Sequence, residues 1–152
     1  MADVSREVAA PVERVWAVVA DGWSYAGWVV GASHIRKVDA GWPGIGARIH
    51  HSVGTWPAVI EDTTEVTAVE PNRMIELHAR LWPAGTATVR LELDPLGHSR
   101  TRMRMFEQVR SGPAKVLPNT LQDVLLVARN KETLSRLSDM VLRRTGDGEA
   151  DD

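Results

Sequence analysis

Apolar residues recur at helical spacing near both ends of the chain and alternate with polar ones through its middle. Val4 to Val8 reads as a short first strand. Pro11 stands where a helix begins, since its missing N–H costs nothing there. Val12, Val15, Trp16 and Val19 follow at i, i+3, i+4 and i+7, the signature of an amphipathic helix. Asp21-Gly22 ends it. A second short helix is predicted from Trp23 to Val29, carrying Tyr25 and Trp28, with Gly31 as its stop. The period then falls to two. Glycines and prolines such as Gly41, Pro43, Gly54, Pro57, Pro71, Pro83, Gly85, Pro95 and Gly97 divide the next stretch into six β-like runs. These are about Ala32–Val38, Ala47–Val53, Ala58–Val69, Met74–Leu81, Thr86–Leu93 and Thr101–Val109. Such short spacing predicts an antiparallel meander, because parallel strands need long crossovers. Pro113 and Pro118 bound the start of a long final helix, with Thr120 as cap and Asp123 three residues on. Leu121, Val124, Leu125 and Ala128 read as one stripe that Leu134, Leu137 and Val141 continue, and Arg143-Arg144 suit the helix C-terminus.

The expected fold class is therefore α+β. A curved antiparallel sheet of about seven strands wraps a long C-terminal helix, with two short helices after the first strand. One domain is expected over residues 1–145, followed by an acidic, glycine-containing, disordered tail at 146–152.

Composition narrows the function classes. With 152 residues, 43% hydrophobic and 25% charged, the chain supports one packed domain. A formal net charge of -2 lacks the basic footprint of a nucleic-acid binder. The strip Arg100, Arg102, Arg104 has the spacing of a strand's solvated face. With no cysteine, disulfides, thiolate zinc sites and cysteine nucleophiles are excluded. The N-terminal residues lack the apolar core of a secretory signal, and no apolar run approaches a bilayer span. A cytoplasmic protein with no membrane insertion is the expectation. Gly41-Trp42-Pro43-Gly44-Ile45-Gly46 lies between strands and opens no helix, so it reads as a hairpin loop rather than a dinucleotide site. There is no nucleophile elbow, and His34, His78 and His98 have no ligand spacing. No cofactor and no metal are expected.

Candidate chemistry comes from strand parity. In the last strand Met103, Met105 and Val109 share a face with Glu107, which makes Glu107 an inward carboxylate. It is then a ligand contact, a general acid or base, or half of an internal ion pair. By the same rule Asp62 turns inward with Ile60, Thr64 and Val66. His51 shares the face of Ile49 and Val53, while His50 points away, so the two histidines cannot form one site. Glu107, Asp62 and His51 are the catalytic candidates. Each also has an ordinary reading as a paired charge or as a histidine bonded to backbone. Six tryptophans stand against one Phe and one Tyr. Trp16 belongs to the first helix's core stripe. Trp28, Trp56 and Trp82 lie near element ends, where a cavity mouth would be, and suit a pocket wall as well as plain packing. Met103 and Met105 are adaptable pocket walls or core. Asn130 falls among apolar positions of the long helix and is placed to reach the cavity or to cap a strand carbonyl. Arg80 faces away from Leu77 and Ala79 on strict alternation.

Ala10-Pro11-Val12-Glu13-Arg14-Val15-Trp16, Tyr25-Ala26-Gly27-Trp28, the stretch from His50 to Pro57 and the closing helix together resemble the START/polyketide-cyclase superfamily. That superfamily is also called SRPBCC or birch-pollen-allergen-like, and the resemblance runs from about Val4 to Val141. It implies a helix-grip fold around a cavity. It also implies binding of a small hydrophobic, lipid- or polyketide-like molecule by a monomer or homodimer. Two other roles stay open. One is a cyclase/dehydratase using the inward carboxylate and histidine as acid and base. The other is a protein-interaction module of the chaperone-cofactor kind, which needs an exposed apolar patch.

Overall fold

Seven antiparallel strands form one sheet in the order β1-β7-β6-β5-β4-β3-β2 in the computed structural model, which describes residues 2–30, 34–53, 60–81 and 85–149. The strands are β1 (Ala2–Val8), β2 (His34–Val38), β3 (Arg48–Val53), β4 (Ile60–Glu70), β5 (Met74–Leu81), β6 (Gly85–Pro95) and β7 (Thr101–Ser111). β2 to β7 are a continuous meander, and β1 returns to pair with β7 at the far edge. Irregularities at Ile35/Lys37, Val66/Ala68 and Thr86/Ala87 shift the register. Bulges of this kind bend strands and add to the curl of a sheet.

Helix α1 (Val12–Val19) takes extended Pro11 as its N-cap and buries Val15, Val18 and Val19. The second predicted helix is split. A 3₁₀ turn (Gly22–Ser24), whose Trp23 amide donates to Asp21 Oδ1 at 3.2 Å, leads into the single turn α2 (Tyr25–Trp28). Gly27 lets α2 approach the long helix α3 (Asn119–Glu149): a Cβ there would lie 2.5 Å from Met140 Cε. A second 3₁₀ turn (Pro113–Val116) precedes α3. At Gly85, φ is +122°, and a Cβ would strike the backbone of Ser111 and Gly112, so this hairpin admits only glycine.

α3 differs from its sequence reading in three ways. It starts at Asn119 rather than after a Thr120 cap. Its backbone stays helical to Glu149, so residues 146–149 extend the helix instead of forming the expected tail. A helix already propagating adds one hydrogen bond per residue and passes over two glycines. The supposed single stripe is also two separate faces. Leu134, Leu137 and Val141 are buried, whereas Leu121, Val124 and Leu125 are exposed. Ala128 and Leu134 are six residues apart, about 240° around the axis after one full turn, so they cannot share a face. The core-facing set in the first half includes Leu126, Val127 and Asn130.

The outer face of the sheet is charged. Arg100 and Arg102 reach Glu7 at 3.2 and 3.5 Å, and Arg104 lies over the Phe106 ring at 5.0 Å. Among the described residues, no helix is long and apolar enough to cross a membrane.

Candidate functional site

The inner face of β7 carries Met103, Met105 and Glu107, all with less than 3% exposure. A carboxylate so placed needs compensation, and α3 supplies it. Arg129 Nη1 donates to Glu107 Oε1 at 2.9 Å and to Oε2 at 3.2 Å, and Asn130 Nδ2 donates to Oε2 at 3.2 Å. The same helix holds the end of α2. Arg129 Nε donates to the Val30 carbonyl at 2.8 Å, and the Val30 amide donates to Thr133 Oγ1 at 3.2 Å. Arg129 thus ties β7, α2 and α3 together.

Next to this cluster is a pocket with Trp28, Ile75, Leu77, Leu91 and Met105 as apolar walls. Tyr25, Glu107, Arg129, Asn130 and Thr133 form its polar end. A water molecule's centre has only about 20 Å³ in which to move there, so this corner holds one water at most. A wider opening of about 370 Å³ lies between β7, the 3₁₀ turn at residues 113–116 and the first half of α3. Gln108, Arg110, Lys115, Gln122 and Leu126 are among its walls, and Glu107 belongs to the walls of both spaces.

A second polar cluster sits under β3 and β4. His51 is 3% exposed, and a hydrogen bond of 3.2 Å links its Nε2 to Thr64 Oγ1. Thr64 Oγ1 also lies 3.5 Å from the Tyr25 hydroxyl, a long contact that joins the cluster to the pocket. The other ring nitrogen, Nδ1, is buried and has no hydrogen-bond partner among the described residues. Asp62 pairs with His51 across the strands, accepts from the Thr63 amide at 2.9 Å and lies 3.6 Å from Arg80 Nε. Burial pushes the His51 ring below the ordinary histidine range; the Asp62 charge opposes this, while Arg36 and His50 add to it. Burial likewise raises the Tyr25 phenol. Both groups are therefore neutral near pH 7, and Thr64 links them in a chain, Tyr25–Thr64–His51.

Several sequence candidates meet here and others do not. Glu107 and Asn130 touch, and Met105 walls the same pocket. His51 and Asp62 belong to the second cluster. Met103 is fully buried core and is not among the pocket walls. Trp28, expected at a cavity mouth, is 3% exposed; its Nε1 donates to Ser24 Oγ at 3.2 Å and its ring meets Tyr25 edge-on at 5.6 Å. An indole with its one donor satisfied internally packs as core while also walling the pocket. Trp56 and Trp82 lie outside the described residues. Arg80 is exposed, yet it reaches Asp62. Arg129 and Thr133 escaped the sequence reading, which turned Thr64 inward and placed Tyr25 on the second helix without making either a site candidate. A helical wheel offers one signal for Arg129, which sits at the edge of the face shared by Leu126, Asn130 and Leu137. No group of three or more metal-binding side chains occurs among the described residues.

The family model for polyketide cyclase/dehydrase and lipid transport matches residues 1–141. Among solved structures, the Zhui aromatase/cyclase from a Streptomyces species is similar. It shows 20% identity and a TM-score of 0.64, with 94% of this chain and 93% of that chain covered. A START superfamily protein from Mycobacterium smegmatis shows 17% identity and a TM-score of 0.67, covering 93% and 96%. The di-domain aromatase/cyclase BexL shows 17% identity and a TM-score of 0.66; this chain is covered to 91%, against 45% of that longer one. At these identities the structural likeness concerns the fold. Among proteins of curated function, none matches the sequence.

Proposed function

Because the chain belongs to the polyketide cyclase/dehydrase and lipid transport family, we propose that it binds a small, largely apolar molecule between α3 and the sheet, with one polar group of that molecule set against Glu107, Arg129 and Tyr25. The observation that carries this reading is the fully buried Glu107 carboxylate, bonded by Arg129 and Asn130, at the end of an apolar pocket. Such a group is costly in a core built only for packing. The ion pair is neutral as a whole, so it suits a neutral hydroxyl or carbonyl better than a second buried carboxylate. The 370 Å³ opening is within the size range of small-molecule sites, but its walls are mostly polar, so it suits the ligand's polar part and the apolar part needs the neighbouring corner to widen. An apolar end reaching further in would turn Met105, whose unbranched side chain changes shape at little cost.

A second reading, acid–base catalysis of the cyclase/dehydratase kind, draws support from the Tyr25–Thr64–His51 chain. Arg129 already engages both Glu107 oxygens, which favours Glu107 as an orienting group and the phenol–imidazole chain as the proton carrier.

Native mass spectrometry of the purified chain, followed by solvent extraction and a Trp-fluorescence titration with the extracted class of molecule, tests the binding reading. A stoichiometric organic adduct is expected, and Arg129→Gln should weaken binding by roughly tenfold or more. A clean mass with no fluorescence response to lipids or to aromatic polyketides would overturn it.

A further inference from the structure

The first half of α3 turns an apolar face to solvent. Leu121, Val124 and Leu125 are 43%, 60% and 54% exposed, Ala128 shares their face, and Val116 in the preceding 3₁₀ turn is 85% exposed. Leu126 and Asn130, on the other side of the same turns, face the interior, so this stripe adds nothing to the core. Around the helix Lys131 falls beside Val124 and Glu132 beside Leu125, given about 100° per residue, and Glu132 is paired with Arg136 one turn on at 3.0 Å. With that pair neutral, Lys131, Arg110 and Lys115 outnumber Asp123. The rim is net positive on a chain whose formal charge is -2. The stripe also borders the 370 Å³ opening, whose walls include Asn119, Gln122 and Leu126 of the same helix turns.

Five side chains are too few for a stable second copy, since a durable protein interface takes roughly 20 residues or more on each side. A lipid surface needs no matching shape. An apolar helical stripe with cationic flanks is enough to seat a helix at the boundary between headgroups and acyl chains. We propose that Val116 and the first half of α3 dock on the surface of an anionic bilayer, without crossing it, and hold the adjoining opening against the lipid. The docking face borders the opening and does not depend on the identity of the ligand that enters there.

Flotation of the full chain with phosphatidylcholine vesicles, with and without phosphatidylserine, tests this. Binding is expected only when phosphatidylserine is present, and it should weaken as salt rises. The double variant Leu121→Glu/Leu125→Glu should fold, because both positions face solvent, and its partition onto vesicles should fall by roughly tenfold or more. Circular dichroism and the wild-type melting temperature confirm that the variant is folded. If it is not, Val124→Glu with Ala128→Glu replaces it as the probe, and its partition should fall likewise. Absence of wild-type flotation, or equal flotation of a folded variant, would overturn the proposal. So would a wild-type dimer, seen by light scattering, that the variant dissolves, for it would assign the face to a second copy.

Discussion

At the β7 end of the interior, Glu107 has hydrogen bonds to both of its oxygens from two α3 side chains. At the β3–β4 end, His51 is also buried, yet one ring nitrogen has no partner among the described residues. The first cluster fastens the helix to the sheet through an ion pair; the second is a chain of neutral groups left open at one end. Buried charge is tolerated only when paired, whereas a neutral group can stay partly unsatisfied at smaller cost. The closed cluster therefore fixes the position of helix against sheet and is costly to break from one side only, and the open one keeps capacity for a hydrogen bond.

The largest effect expected from this contrast follows Arg129→Met, which leaves Glu107 buried without its counter-charge. Urea unfolding should show a loss of about 3–5 kcal/mol. Adding Glu107→Leu should recover most of that loss, since an apolar pair replaces an ionic one. If the single variant matched the wild type, the β7 cluster would not be the fastening.

A smaller effect concerns pH. The His51 ring is held below the ordinary histidine range by burial. The unfolded chain therefore takes up a proton first as pH falls below about 6.5. The stability that the neutral ring contributes is complete above that value and is lost as pH drops from there toward the folded-state pKa. Thermal melts of wild type and His51→Phe between pH 7.5 and 5, as about the range needed to span this titration, should converge or cross as the wild type loses ground. Parallel curves would mean that the buried imidazole is no different from an exposed one.

The smallest effect lies outside both clusters. His50, the outward neighbour of His51, meets Asp39 at 2.9 Å, and that hydrogen bond leads the causes that hold the Asp39 carboxyl below its usual range. The pair is on the solvated face, so Asp39→Asn should leave the melting temperature unresolvably different from wild type. A clear drop would show that the β2–β3 hairpin depends on this contact and that burial is not the deciding variable.

The sheet was largely legible because alternation is a local signal. β5 runs from Met74 to Leu81 as expected, and Glu107 and His51 turn inward as their neighbours' parity predicts. The long helix was harder. Apolar residues occupy both of its faces in turn, so a search for i, i+3, i+4 spacing finds Leu121–Ala128 and Leu134–Val141 without noticing the rotation between them. Arg129 went unnoticed because an arginine beside a core face ordinarily reaches for water. Only the inward position of Glu107, 22 residues earlier, turns it around. The contact between Tyr25 and Thr64 spans 39 residues and depends on how α2 seats under β4, which no local pattern encodes.

The pairing of β1 with β7 also governs how the chain acquires its shape. Val8 meets Thr101, so the shortest link between the two strands closes a loop of the order of 90 residues. Every other strand neighbour is joined by a short hairpin or loop. During synthesis the first strand has no partner until the seventh has been made. The alternating residues Val4 and Val8 therefore remain an unpaired apolar edge through most of translation. This seam is the strand pairing most distant in sequence, and such contacts carry the largest loop-closure entropy.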